Sequence, residues 1–359
     1  MMEKKSNCDK ILLSNLHKFA TPKQKLYDYI IKEIIVRNIQ EYRCDVPRRL
    51  DIFLAQEIGQ TRSQIAQLIR REAVCIDGKK VSRPGIKLKN GQNIKVEFLE
   101  ATESQPQEID FDVEILYEDE DVLVINKPSG VTVHPAPSVK EPTLVDWLKH
   151  KCIRLSTISG EERYGIVHRL DKGTSGAMVV AKNNEAHEFL SKQLQDKSMG
   201  RYYLALVTPP LKDNVTITES NIGRSPHNRL KMTCGLKHGK YAKTMFKHLA
   251  LSDDEKIELL ACKLFTGRTH QIRVHLESLN RHILGDHIYG LSPKIEKAKR
   301  ILLHAYLIYF IHPKTEEKLF FTAEFDPVMK ETIDNKFDKE ILNEVINSNY
   351  IMRSFTATS

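Results

Sequence analysis

At 359 residues and 41.3 kDa, the chain is longer than one ordinary domain, so two domains with extensions are the default reading. Its 55 Lys and Arg against 47 Asp and Glu leave a formal charge of +8, which points to a polyanionic partner without choosing between nucleic acid and a membrane surface. No apolar run approaches the ~20 residues of a bilayer-crossing helix, the start Met-Met-Glu-Lys-Lys-Ser-Asn-Cys lacks the hydrophobic core of a secretion signal, and the six cysteines show neither C-x-x-C nor zinc-ligand spacing, so a cytoplasmic protein with reduced thiols, no membrane association and no metal site is expected.

Residues 1–47 form an extension in which Tyr27, Ile30, Ile31, Ile34 and Ile35 are spaced as one face of an amphipathic helix over roughly 22–40. From Pro47 the pattern changes. Residues 48–57 read as a helix, and Thr61-Arg-Ser-Gln64 has capping-box spacing before a second helix running through Arg71. Ile65, Leu68 and Ile69 make the buried stripe of that helix and Arg62, Arg70 and Arg71 its outward basic side. Asp77-Gly78 then turns a hairpin carrying Lys79 and Lys80, and Asn90-Gly91 turns into a strand over 94–98. This order, with 11 Lys and Arg against 5 Asp and Glu between 48 and 97, resembles the small α/β S4 RNA-binding domain, here 48–98. Polar, acidic residues 99–110 read as a linker.

Two strands, 113–117 and 122–126, flank the acidic turn Glu118–Asp121 and lead into Lys127-Pro-Ser-Gly130, where Lys127 is expected to face RNA phosphate or solvent. Residues 143–149 have a helical pattern with Trp147 packed inside. Then comes a concentrated charge cluster: short apolar pieces at 165–167 and 177–181 joined by a loop bearing His168, Arg169, Asp171, Lys172, Thr174 and Ser175. A helix over 185–197 and a strand over 201–207 follow, the strand placing Tyr203, Ala205 and Val207 on one face. Arg224, Arg229 and Lys231 lie in a basic segment, 222–232. The run Thr266-Gly-Arg-Thr-His-Gln-Ile-Arg273 carries Arg268 and Arg273, and Ile283-Leu-Gly-Asp-His-Ile-Tyr-Gly290 follows it.

The wording of these segments, above all His168-Arg-Leu-Asp-Lys-Gly-Thr-Ser-Gly176, resembles the RluA-type pseudouridine synthases, and the basic segment 222–244 resembles their large-subunit ribosomal RNA branch. The resemblance spans about 48–327, with 111–327 as the catalytic domain and 328–359 as a tail. It implies an α+β fold, a mixed, largely antiparallel sheet with flanking helices, and an isomerase without a cofactor. It also implies that Asp171 is the nucleophile, that Tyr203 and Arg273 are catalytic beside it, and that ribosomal RNA or a pre-ribosomal particle is the partner of a monomeric enzyme. Arg169, His168, Lys172, Arg62, Arg70, Arg71, Lys79, Lys80, Arg224, Arg229, Lys231 and Arg268 are then the expected RNA contacts.

Other chemistries lack parts. A glycoside hydrolase needs two carboxylates across the bond, and the loop offers one. A zinc deaminase needs H-x-E with P-C-x-x-C, and dinucleotide or NTP enzymes need a Gly-rich fingerprint; none is present. His270 and His275, five apart, are read as pointing to opposite faces of a strand. A transfer RNA substrate, or a non-catalytic role in ribosome assembly, stays open as the alternative.

Overall fold

The computed structural model describes residues 37–355 except 60–61, 71, 100–108, 137–138, 154, 158–162 and 293–297. The chain divides into two units, Met1–Pro106 and Gln107–Ser359.

In the first unit, helices α1 (Leu50–Ile58) and α2 (Arg62–Arg70) pack on a four-stranded sheet. Its strands are β1 (Arg37–Arg43), β2 (Val74–Ile76), β3 (Lys79–Val81) and β4 (Asn93–Leu99), in the order β1-β4-β2-β3. Asp77 and Gly78 both take positive φ, 48° and 79°, the geometry a two-residue hairpin turn requires. Leu50, Phe53, Leu54, Ile65, Ile69, Val74, Ile94 and Val96 form the core. The helix expected over 22–40 meets a correction at its end. Residues 37–43 are an antiparallel strand on β4, where Arg-Asn-Ile-Gln-Glu-Tyr-Arg supplies a strand for an otherwise open edge, so this unit begins before residue 48. Residues 22–36, the Thr61 cap and Arg71 lie outside the described residues.

The second unit is built on an 11-stranded sheet. In chain order its strands are β5 (Glu114–Glu118), β6 (Val122–Lys127), β7 (Ser175–Ala181), β8 (Gly200–Thr208), β9 (Val215–Arg224) and β10 (Met232–Thr233). They continue as β11 (Lys240–Leu251), β12 (Glu258–Leu264), β13 (His282–Ile283), β14 (Leu303–Ile311) and β15 (Lys318–Thr322). The order is β10-β9-β11-β12-β8-β14-β7-β6-β5, with β13 paired to β8 and β15 to β14. Pairing is antiparallel except where β14 runs parallel to β7, at His304–Ser175 and Ala305–Gly176. There Gly176 has φ 117°, and a Cβ would collide with the Ala305 backbone.

Alternation along the strands feeds separate cores. Met178, Val180, Tyr203, Ala205 and Val207 join Trp147 of α3 (Leu144–His150) on one side. Ala177, Val179 and Ala181 face Ala186 and Leu190 of α4 (Asn184–Asp196) on the other. Residues 328–359, expected as a tail, instead supply helices α6 (Pro327–Lys336), α7 (Lys339–Val345) and α8 (Ser348–Ser354). These follow α5 (Gln271–Ser278), and their Met329, Ile333, Leu342, Ile351 and Phe355 cover Tyr202, Leu204 and Leu206 on β8. No helix among the described residues is long and apolar enough to cross a membrane.

Candidate active site

The charged loop 167–174 sits at the start of β7, whose seven residues are all buried, and Leu170 anchors it at 3% exposure. Its upstream apolar piece makes a single bridge, Ile166 to Val180, rather than a strand. Below the loop, Lys127 corrects its expected exposure. It is fully buried, and its ammonium donates to the carbonyls of Pro128 (2.7 Å), Val131 (2.7 Å) and Lys172 (3.4 Å). Burial pushes its pKa down to about 7, with the nearby Asp171 carboxylate pulling the other way. Ser129 Oγ donates to the Gly173 carbonyl (2.7 Å) and the Gly130 amide to that of Lys172 (2.8 Å), so loop 128–131 is stitched to the loop bearing Asp171. Beneath β7, Ser175 Oγ meets His304 Nδ1 at 2.9 Å, while Arg300 binds Asp326, the residue that also caps α6.

His168, expected to contact RNA, is interior. Its Nε2 accepts the Val179 amide at 3.2 Å, and burial drives its pKa well below the ordinary value, so it is a neutral strap holding the loop to β7.

Arg273 arrives from α5. The strand reading of this segment is overturned: His270 is the N-cap, with φ 56°, and His275 is completely buried in the helix with Nδ1 2.8 Å from Thr244 Oγ1. Arg273, 7% exposed, makes a two-pronged pair with Asp286, Nε and Nη2 each 2.7 Å from a carboxylate oxygen. Asp286 also accepts the amides of Ile288 (3.1 Å) and Tyr289 (3.2 Å). Thus held, Arg273 turns Nη1 toward Asp171 Oδ2 at 3.5 Å, and the Tyr289 ring lies 4.9 Å beneath its guanidinium. His270 Nε2 is 3.9 Å from the same oxygen. Asp286 and Tyr289 were not singled out from the sequence, where the 283–290 run following Arg273 was the available signal, and His270 was weighed there only as a histidine on a strand.

Asp171, Arg273, Tyr203, Arg169, Arg268 and Arg201 line one cleft of about 500 Å³, within the range of small-ligand sites. Tyr203 is 4% exposed, and burial raises its phenol's pKa. Arg201, two residues before it on β8, is a further cation there that the sequence did not flag. Arg169 and Arg268 are exposed at the cleft, the latter oriented by Nε donating to the Tyr241 carbonyl at 2.9 Å.

The other expected RNA contacts of the second unit are not among the residues lining this cleft. Lys172 is exposed and 3.5 Å from Glu141. Arg224, at the end of β9, and Arg229, on the β9–β10 loop, are exposed, whereas Lys231 is tied to Glu277 at 2.9 Å. In the first unit, Arg70, Lys79 and Lys80 are exposed, while Arg62 is drawn to Asp51 at 2.9 Å. Among the described residues, Asp119, Asp121 and His312 bring ligand-type atoms together, but Asp119 already serves Tyr117, His312 and the amides of Asp121 and Val122. It is a hydrogen-bonded corner of the sheet.

The RNA pseudouridylate synthase family model matches residues 121–278, from just before β6 to the end of α5, and the S4 domain model matches 48–94. An "Uncharacterized RNA pseudouridine synthase" of Helicobacter pylori strain J99 is 48% identical over 318 residues, 86% of this chain and 96% of that protein. The chain belongs to the RNA pseudouridine synthase family. The synthase is also 37% identical over 296 residues to the "Ribosomal large subunit pseudouridine synthase D" of Zymomonas mobilis, 79% of this chain and 92% of that one. Its fold is shared with human RNA Pseudouridylate Synthase Domain Containing 1, with a TM-score of 0.53 and 23% identity over 66% of this chain and 95% of that one. The synthase is therefore an isomerase acting on RNA, with an S4 domain ahead of its catalytic unit.

Proposed function

We propose that this synthase converts specific uridines of large-subunit ribosomal RNA to pseudouridine, with Asp171 as the nucleophile. The carrying observation is that Asp171, Arg273 and Tyr203, some 100 positions apart in sequence at their extremes, line one cleft, with the Arg273 guanidinium 3.5 Å from the Asp171 carboxylate. The ribosomal substrate is supported by relatives from Zymomonas mobilis and Neisseria meningitidis named for the large ribosomal subunit.

The isomerisation breaks the bond between uracil N1 and ribose C1′, turns the base and closes a bond from C5 to C1′, while the C5 proton leaves and N1 gains one. No atom or electron is exchanged with a second reactant, so the reaction needs no redox or group-carrying cofactor. Asp171 bonds to the substrate to open the sequence and is released when it closes. Arg273, fixed by Asp286, pairs with that carboxylate and aims it. Tyr203 offers its ring to the detached base, and Arg169 occupies the space of the extruded nucleotide or clamps its phosphate. The exposed cations of the S4 domain contact phosphates.

Asp171→Asn is expected to abolish pseudouridine formation in a large-subunit ribosomal RNA transcript while RNA affinity persists; turnover by this variant would refute the nucleophile. Pseudouridine mapping in cells with and without the gene tests the substrate. Sites lost from transfer RNA rather than large-subunit RNA would reject the ribosomal reading.

A further inference from the structure

His270 stands at the junction of loop 265–269 and α5, its imidazole between Asp171 and Tyr289. The Tyr289 hydroxyl has two polar neighbours. The Met232 amide reaches it at 2.7 Å and can only donate, so the oxygen accepts there. His270 Nδ1 lies 2.9 Å away on the other side, with the rings edge to face at 89°.

Two neutral tautomers compete. With the proton on Nδ1, the phenol oxygen receives two donors, its own hydrogen has no partner in this pair of contacts, and the bare Nε2 lone pair confronts a carboxylate. With the proton on Nε2, the phenol donates to Nδ1, accepts from Met232, and an N–H faces Asp171. The second arrangement satisfies every group and replaces a repulsion by an attraction. Burial lowers the imidazole's pKa, against the pull of Asp171, and raises that of Tyr289 to about 12, so the ring is neutral and the phenol keeps its hydrogen.

We propose that His270 is a positioning residue: with its tautomer set by Tyr289, it presents Nε2–H to Asp171 Oδ2. Arg273 Nη1 addresses the same Oδ2, so the two donors together leave Oδ1 as the oxygen turned to the substrate. At 3.9 Å the His270 contact is longer than a hydrogen bond and closes when RNA seats, as contacts at unliganded sites commonly do. Because Met232 opens β10 beside the basic β9–β10 loop, the amide that orders Tyr289 belongs to the segment carrying Arg224 and Arg229. The inference rests on the Asp171 nucleophile proposed above.

Asparagine and glutamine at 270 separate the two ring nitrogens. An Asn amide sits near the place of Nδ1, keeps a partner for Tyr289 and reaches no further, while a Gln amide sits near Nε2 and can face Asp171. Asn tolerates positive φ better than most residues, and Gln carries there no more backbone strain than His, so strain does not explain a loss in the Asn variant. The full-length protein is assayed by tritium release from a large-subunit ribosomal RNA transcript labelled at uridine C5.

His270→Asn is expected to lower kcat about 10- to 100-fold with KM little changed, the scale of a slightly misplaced reacting group, and His270→Gln to recover most of that loss. Tyr289→Phe, which keeps the ring but frees the tautomer, is expected to lower kcat in the same direction. Equal activity of the Asn and Gln variants, an Asn variant at the wild-type rate, or an unaffected Tyr289→Phe would each overturn the role. Asp171→Asn measured alongside keeps the readings apart: turnover there removes the nucleophile itself, whereas an inactive Asp171→Asn with a fully active His270→Asn removes only His270.

Discussion

The pair Arg273–Asp286 is a buried ion pair that also aims Arg273 at Asp171, the proposed nucleophile, and a double-mutant cycle separates its contribution to stability from its contribution to turnover. Arg273→Met leaves the Asp286 carboxylate, 1% exposed, with only the Ile288 and Tyr289 amides. Asp286→Leu leaves a buried guanidinium whose remaining carboxylate, Asp171, is 3.5 Å away and partly exposed. Breaking a buried pair from one side costs about 3–5 kcal/mol, because the partner stays charged and unpaired. Removing both charges eliminates that penalty and leaves mainly the two amides short of an acceptor, about 1–3 kcal/mol. The double variant is therefore expected to be more stable than the sum of the singles by about 3 kcal/mol or more in urea unfolding of the full chain. Turnover is expected to stay low in all three, since none of them holds Arg273 against Asp171. Additive single effects would refute the buried-pair argument, and near-normal turnover in the double variant would refute the role of Arg273.

Lys127→Met removes the ammonium under the motif loop. Between pH 7, near the folded-state pKa, and ~10.4 in the unfolded chain, unfolded wild-type protein holds a proton that the folded protein lacks. Wild-type stability thus climbs with pH by up to ~1.36 kcal/mol per unit in that window; the variant should lack the climb, and parallel urea titrations of the two proteins would contradict it. Phe355→Ala, in the sequence-level tail, is expected to cost about 3–5 kcal/mol because its ring is 1% exposed against Tyr202; a loss below about 1 kcal/mol would mean that the C-terminal helices add little. Removing residues 1–106 should lower RNA affinity and flatten its salt dependence by roughly 0.7–0.9 in log–log slope for each phosphate no longer neutralised, and an unchanged slope in filter binding would oppose an electrostatic role for the S4 domain.

The charged motif loop, the inward face Tyr203-Ala205-Val207 and the packing of Trp147 were legible from local pattern, because each leaves a periodic or turn-specific trace, whereas the α+β class came from the family resemblance. It misread α5 for a physical reason. Ile272, Val274 and Leu276 alternate with Arg273 and His275 as in a strand, yet Gln271 through Leu276 are all buried in a helix whose polar members find Asp286 and Thr244. A helix buried all round has no stripe to detect. Lys127 looked like a surface lysine because its partners are backbone carbonyls, which leave no mark on residue type. The tail was set aside because its buried residues face β8, over 120 positions upstream, a complementarity that only the folded sheet displays.

The insertion of β14 between β7 and β8 has a consequence for biogenesis. Asp171 and Tyr203 are on neighbouring stretches of the chain, but the strand that joins their supports spans Leu303–Ile311, about a hundred residues later. As the polypeptide leaves the ribosome, β7 can pair with β6, and β8 with β12, while the lane between the two halves stays vacant. The cleft is completed by one of the last strands to be synthesised, so a nascent or C-terminally truncated chain carries Asp171 and Tyr203 without the cleft that brings them together.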